Sequence, residues 1–246
     1  MKPVTREGYK FRQDICIPCY QTANNLLLKP ASFMDLAQEI AYWAAQELGF
    51  GYDTLHVHHT AWVLSRMHIR FHKAVSWRDQ VSLYTWHKGA SGLFYLRDFD
   101  LRNAAGECCV SATSSWVVIN EQTRRLVRPE DLAHFLQVDY AVDDAIAEPA
   151  PKIVPPGEME LAGQHAVAFS DIDLIGHTNN ARYAVLAMDC LPFEEAEKPL
   201  KELYINFNKE TKPGDTVQLL RQKDAGTWYV EGRLDGKSCF EVKMEF

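Results

Sequence analysis

The chain repeats itself, and that repeat limits its fold more than any other feature. Residues 67–83 read MHIRFHKAVSWRDQVSL, and residues 203–219 read LYINFNKETKPGDTVQL. At an offset of 136, Ile69, Phe71, Lys73, Asp79, Val81 and Leu83 fall on Ile205, Phe207, Lys209, Asp215, Val217 and Leu219. A repeat of this size marks two copies of one supersecondary unit. The apolar residues alternate, which predicts half-buried strands. Pro213-Gly214 marks a turn between two of them. The likeness continues downstream. LFYLRDFDL follows Gly92 and TWYVEGRL follows Gly226, and both read as strands. Turns at 103–106 and Asp235-Gly236 lead into last strands over 108–119 and 238–246.

Each half carries one helix ahead of its strands. Over 30–48, Phe33, Leu36, Ala37, Ile40, Ala44 and Leu48 form an apolar stripe at helical spacing, and Gly49 stops it. In the second half a helix is predicted over about 179–189, with Tyr183, Leu186 and Ala187 on one face. Pro192 and Pro199 bar its extension. Each half therefore reads as a helix wrapped by a curved antiparallel sheet, the hot-dog arrangement. The expected fold is an α+β tandem (double) hot-dog. Such a unit exposes an apolar edge and normally pairs, and a second copy provides the partner. The expected layout is an N-terminal unit over 1–137, a linker over 138–163 and a C-terminal unit over 164–246. The linker rests on EPAPKIVPPGE, whose four prolines favour extended chain.

Composition narrows the function. A net charge of −7 argues against non-specific nucleic-acid binding, which needs dense Lys and Arg. Cys16 and Cys19 form a CxxC with no second matching pair, so no metal is expected. No apolar run approaches the roughly 20 residues that cross a bilayer. The opening MKPVTREGYKFRQD lacks the apolar core of a signal peptide, so a cytoplasmic location is expected.

The densest polar cluster opens the second half: SDIDLIGHTNNARY, residues 170–183. It sits between a strand and a helix. The first N–H groups of a helix lack intrahelical partners and carry partial positive charge. A thioester carbonyl placed there is polarised as its oxygen becomes negative. Asp173 and His177 are near enough to act together, and Asn179 or Asn180 can cap the helix. Asp-x-Asp and Asn-Asn also serve as ordinary turn and cap chemistry.

DIDLIGHTNNARY resembles the D-x-D-x-x-x-H-x-N-N-x-x-Y signature of acyl-ACP thioesterases, the plant fatty acyl-ACP thioesterases and their bacterial relatives. QTANN, FMDLAQE, AWVLSRMHIRF and SSWVVIN follow the family's order through the first half. The resemblance covers nearly the whole chain. It implies hydrolysis of fatty acyl-acyl carrier protein (ACP) without metal or organic cofactor. It places the family's acid on Asp173, its His on His177, and a Glu-Cys pair on Glu210 and Thr211. The family's Asn before the His falls on Ile175. With Thr at the Cys position and Ile at the Asn position, a Cys-His-Asn scheme gives way to carboxylate and His, since Thr is a poor nucleophile without strong activation.

Glu210, with His177, is expected to activate water as general base. Asp173 is expected to orient His177 or bind substrate, with Asn179 and Thr211 in support. Strict alternation turns Glu210 away from the core, so it reaches a site only if the strand bends or ends near Lys209. Cys190 is the nearest other thiol. An apolar tunnel between helix and sheet of the first half, lined by Phe33, Met34, Trp43 and Trp62, is expected to hold the acyl chain. Arg66, Arg70 and Lys73, with His68 and His72, form a basic strip expected to dock the acidic carrier. A homodimer is left open. An acyl-CoA thioesterase or dehydratase, or a non-catalytic acyl-binding protein, are the other readings of the fold.

Overall fold

A computed structural model describes residues 3–132 and 143–246. The first half runs β1 (Thr5–Glu7), β2 (Lys10–Cys16), α1 (Pro30–Glu47), α2 (Tyr52–Val57), β3 (Thr60–Phe71), β4 (Gln80–Ser91), β5 (Phe94–Asn103), β6 (Cys108–Asn120), β7 (Leu126–Val127) and α3 (Pro129–Leu132). The second runs β8 (Glu160–Ala166), α4 (Asn180–Asp189), α5 (Phe193–Ala196), β9 (Glu202–Phe207), β10 (Thr216–Asp224), β11 (Thr227–Leu234) and β12 (Lys237–Glu245). The strands join one antiparallel sheet in the order β1-β2-β4-β5-β6-β3-β9-β12-β11-β10-β8, with β7 beside β6.

The two repeat strands meet at the centre of that sheet. β3 and β9 pair with Met67 opposite Ile205 and Ile69 opposite Leu203. Met67 is 3% exposed and the other three are fully buried, so each contributes about 1.5–3 kcal/mol by burial. This seam covers the edge that each half would otherwise present. Helix α1 starts with Pro30 at its first turn, where a missing N–H costs nothing. α4 starts on Asn179, whose Oδ1 accepts from the Ala181 N–H at 2.8 Å. The two helices pack together inside the curve of the sheet. Their buried faces carry Ala37, Ala41 and Ala44 on one and Ala181, Ala184 and Ala187 on the other, and small side chains let helix backbones approach. The apolar core runs without a break from Phe11 to Met244 across both halves. This is the expected tandem hot-dog.

The linker is the part that departs from expectation. Its first residues, 138–142, and the 137/138 boundary lie outside the described residues. The rest, up to β8, is a strap fastened to the outer face of the sheet. The Trp86 indole N–H donates to the Asp143 carbonyl at 2.9 Å. The buried Asp98 carboxylate accepts from the Ala145 N–H at 2.7 Å and lies 3.3 Å from Lys88 Nζ. Across the seam, Asn206 Oδ1 accepts from the Ile153 N–H at 2.7 Å, and its Nδ2 donates to the Pro151 carbonyl at 3.0 Å. Ile146, Ala150 and Ile153 are buried. The prolines keep the segment extended, and side chains from both halves supply partners for its backbone groups. No helix among the described residues is long and apolar enough to cross a membrane.

Candidate active site

β8 ends in a single 3-10 turn, Phe169–Asp171, and a tight loop then leads into α4. An Ile172–Thr178 bridge closes the loop. Within it the Asp173 N–H donates to the His177 carbonyl at 2.9 Å, and the Gly176 N–H to the Asp173 carbonyl at 3.1 Å. Gly176 takes φ +88°, a left-handed conformation that costs glycine little. Asp173 Oδ1 accepts from the Ile175 and His177 N–H groups at 2.9 and 3.3 Å. Asp173 thus orients His177 through the backbone of the loop rather than through its ring. The other acid of the pair, Asp171, is 2% exposed. It accepts from the Ala168 N–H, His165 Nε2 and Arg182 Nε at 2.8, 2.7 and 3.0 Å. It locks the strand to the helix, a role the motif reading gave to neither aspartate.

Glu210 reaches this corner because the alternation fails where β9 ends. The Asn208 and Lys209 N–H groups both donate to the Cys239 carbonyl, at 2.8 and 3.1 Å. Two residues opposite one is the geometry of a bulge, and it turns the following side chain inward. Glu210 Oε2 then lies 3.3 Å from His177 Nε2. The same oxygen pairs with Arg124 at 2.6 Å, and Oε1 lies 3.2 Å from Lys212 Nζ. Burial pushes the Glu210 carboxyl up, but Arg124, His177 and Lys212 outweigh it and hold the group below its ordinary range. The His177 and Glu210 side chains are 26% and 30% exposed, so water reaches both. Asn180, the first residue of α4, lines the same space. Arg124 and Lys212 carried no signal in the sequence. Arg124 lies in the other half, beside β7, and nothing in its neighbours points to Glu210.

Thr211 is fully buried. Its Oγ1 lies 2.7 Å from Thr178 Oγ1 and 3.0 Å from the Tyr183 hydroxyl, and its N–H donates to that hydroxyl at 3.2 Å. It ties the loop to α4 and has the surroundings of a structural residue. Asn179 caps α4 as expected, and its Nδ2 lies 3.4 Å from Gln38 Oε1 on α1. Ile175 is exposed and offers no polar group. Burial pushes the Cys190 thiol up to about 11 despite nearby Arg221, so it is a poor source of thiolate.

The first half has the same corner without the chemistry. The Ala23 N–H donates to the Leu27 carbonyl and the Leu26 N–H to the Ala23 carbonyl, at 2.9 and 3.0 Å, as in the loop from Asp173 to His177. The Leu28 N–H donates to the Val75 carbonyl at 2.8 Å, as Thr178 does to Thr211 at 2.9 Å. By this superposition Ala23, Leu27 and Ala74 stand where the second half has Asp173, His177 and Glu210.

A cavity of about 830 Å³ opens beside His177 and Glu210 and runs into the first half. Ligand pockets span about 300–1,000 Å³. Trp62, Phe50, Leu55, Leu64, Tyr95 and Trp116 supply apolar wall. Of the four expected liners only Trp62 belongs to it. Phe33 is fully buried against Phe71, with ring centroids 6.4 Å apart. Met34 lines only a separate void of about 20 Å³. The Trp43 indole N–H donates to Glu39 at 2.6 Å and its ring meets Tyr42 edge-on. Helical periodicity identified the buried stripe but could not distinguish core from cavity wall.

The expected basic strip is largely neutralised. His68 and Arg70 both pair with Glu202, at 2.6 and 2.9 Å, and His68 stacks on Tyr204 with centroids 4.0 Å apart. Lys73 pairs with Glu107 at 2.6 Å. Arg66 lies over the Phe94 ring at 5.4 Å. Arg66, His68 and Arg70 alternate with the buried Met67 and Ile69 and so lie on the face away from the core. His68 and Arg70 stand beside β9, whose Glu202 meets both.

A family model for the acyl-ACP thioesterase N-terminal domain matches residues 8–134, and one for the C-terminal domain matches residues 157–241. Oleoyl-acyl carrier protein thioesterase 2 of Arabidopsis thaliana is 27% identical over 235 residues, 87% of this chain and 63% of the relative. Three such curated plant relatives are matched over 63–65% of their length, so the chain spans less than two thirds of them. Two solved structures superpose with a TM-score of 0.87. An acyl-ACP thioesterase from Bacteroides thetaiotaomicron is 21% identical, with 97% of this chain and 98% of that one covered. The 12:0-ACP thioesterase from Umbellularia californica is 19% identical, with 98% of each covered. At these identities the two structures establish the fold.

Proposed function

Because this chain belongs to the acyl-ACP thioesterase family, we propose that it hydrolyses fatty acyl-ACP to free fatty acid and carrier thiol. The observation that carries the reading is the Glu210–His177 pair at the mouth of a deep apolar cavity, beside the start of α4. The acyl chain enters the cavity and the thioester carbon stops at the pair. Water attacks that carbon while the pair takes its proton. Glu210 stays ionised well below neutral pH, so it supports positive charge on His177 through the transfer. The two act as one coupled base. Negative charge gathers on the carbonyl oxygen near the first N–H groups of α4, which stabilise it. The C–S bond then breaks, and the thiolate recovers the proton from the pair. Asp173 fixes the loop, and Asn179 and Thr211 fix the helix that bears the donors.

The carrier part of the proposal rests on charge near the mouth. Lys209 lines the cavity and is exposed, and exposed Arg125 and Arg128 follow Arg124 in the chain. An acidic carrier is drawn to such a rim. Release of free thiol from matched acyl-ACP and acyl-CoA tests the reading. Faster release from acyl-ACP is expected. Faster release from acyl-CoA overturns the carrier, and no release from either overturns the enzyme.

A further inference from the structure

The cavity contains a cation that hydrolysis of a plain acyl chain does not use. Arg97 lies on β5, on the same face as Tyr95 and Phe99, which point inward with it. It is 6% exposed and lines the cavity wall. Among the described residues its guanidinium makes one hydrogen bond, to Thr85 Oγ1 at 3.2 Å. A guanidinium carries five N–H donors. Among the described residues no carboxylate lies within ion-pair distance of Arg97. The cavity's acids are engaged elsewhere: Glu39 accepts from Trp43, Asp173 from its own loop, and Glu210 from Arg124 and Lys212. His87 stands directly opposite Arg97 on β4 and also lines the wall. Its Nδ1 accepts from the Gly89 N–H at 2.9 Å, so the ring's hydrogen is on Nε2. Burial, aided by Arg97, pushes His87 down to about 3, so the ring is neutral and supplies no charge opposite to the guanidinium's.

A buried cation with unused donors is costly beside an alkyl chain. In the unfilled cavity, water is the partner open to its remaining donors. A saturated chain that fills the cavity removes that water and returns no acceptor. A site that contains such donors favours a ligand with a matching oxygen and disfavours the analogue without one.

We infer that Arg97 is a specificity determinant, and that the preferred acyl group carries a hydrogen-bond-accepting oxygen (hydroxyl, oxo or carboxyl) remote from the thioester. The inference rests on the cavity holding an acyl chain, as the proposed thioesterase function requires. It does not depend on turnover.

Binding of fatty acids, each fixed at its carboxyl as the non-hydrolysable pantetheine amide so that the head group stays at the mouth, tests it by calorimetry. The panel matches each plain acid to hydroxy, oxo and ω-carboxy acids of equal length, with the oxygen moved along the chain. At least one oxygen position binds about tenfold or more tighter than the plain acid, as a charge-assisted hydrogen bond allows. Arg97→Met removes that preference. The ω-carboxy arm separates charge compensation from hydrogen bonding alone. If plain acids bind the wild-type protein as tightly as every oxygen-bearing acid, the inference is wrong. It is also wrong if the preference survives in Arg97→Met. Should Arg97→Met fail to fold, the wild-type panel still decides, and Arg97→Lys, which keeps charge without the fork, takes its place. A binding preference in a protein that hydrolyses no thioester overturns the thioesterase reading and leaves this one standing.

Discussion

Arg124 of the first half and Glu210 of the second meet at 2.6 Å, on the oxygen that Glu210 turns to His177. One carboxylate thus couples the two halves of the duplication at the point where chemistry is proposed.

The first prediction follows from that pair. Arg124 is one of the groups that hold the Glu210 carboxyl low. Arg124→Met removes this stabilisation of the ionised form, so the Glu210 pKa rises. The acid limb of kcat/KM then moves to higher pH, by a shift that solvent screening of the exposed arginine keeps small. A pH–rate profile of both proteins checks this. An unmoved limb, or one moved to lower pH, counts against Glu210 as part of the base.

Thr211→Ala is expected to lower stability and spare the chemistry. The change takes the buried Oγ1 from Thr178 and Tyr183 and leaves the Tyr183 hydroxyl only the residue 211 N–H, a loss of about 1–3 kcal/mol. Denaturant unfolding reads the loss, and single-turnover hydrolysis should stay within a few-fold of wild type. An acyl group trapped on Thr211 would reverse this assignment.

The duplicated corner bears apolar Ala23, Leu27 and Ala74, so one chain should hold one acyl group at one reactive site. A non-hydrolysable acyl-ACP analogue should titrate at one equivalent per chain. Two equivalents would mean that the first corner also binds.

On the outer face, burial alone would raise the Glu202 carboxyl, but Tyr204, His68 and Arg70 hold it down at about 2. A carboxyl whose folded pKa is depressed stabilises the fold above its unfolded value. That stability is lost as pH falls from about 4.5 towards 2. Arg70→Met should flatten the fall in Tm over this window. The Arg66→Ala, Arg70→Ala pair should leave kcat/KM on acyl-ACP within a few-fold, because Arg70 is committed to Glu202. A large loss on acyl-ACP with none on acyl-CoA would restore the strip as a docking site.

The tandem fold was legible because identical residues at one offset sit on alternating strands. The corner of Asp173 and His177 was legible because strand, loop and cap follow one another in sequence. Glu210 was legible only through family resemblance, since the bulge on the Cys239 carbonyl that turns it inward depends on a strand from elsewhere in the chain. Arg124, Arg97 and the fastening of 143–153 to Asp98 and Asn206 are tertiary, and no local pattern encodes them. Phe33, Met34 and Trp43 failed as cavity liners for a related reason. Periodicity tells which face of a helix is buried, not whether the facing space is filled.

The central claim is that Glu210 and His177 together activate water. Single-turnover release of thiol from acyl-ACP, measured for wild type, Glu210→Gln and His177→Ala, tests it most directly. Each substitution should lower the rate by about 10²-fold or more with acyl-ACP binding retained. A folded His177→Ala or Glu210→Gln protein that releases thiol at a near wild-type rate would contradict it.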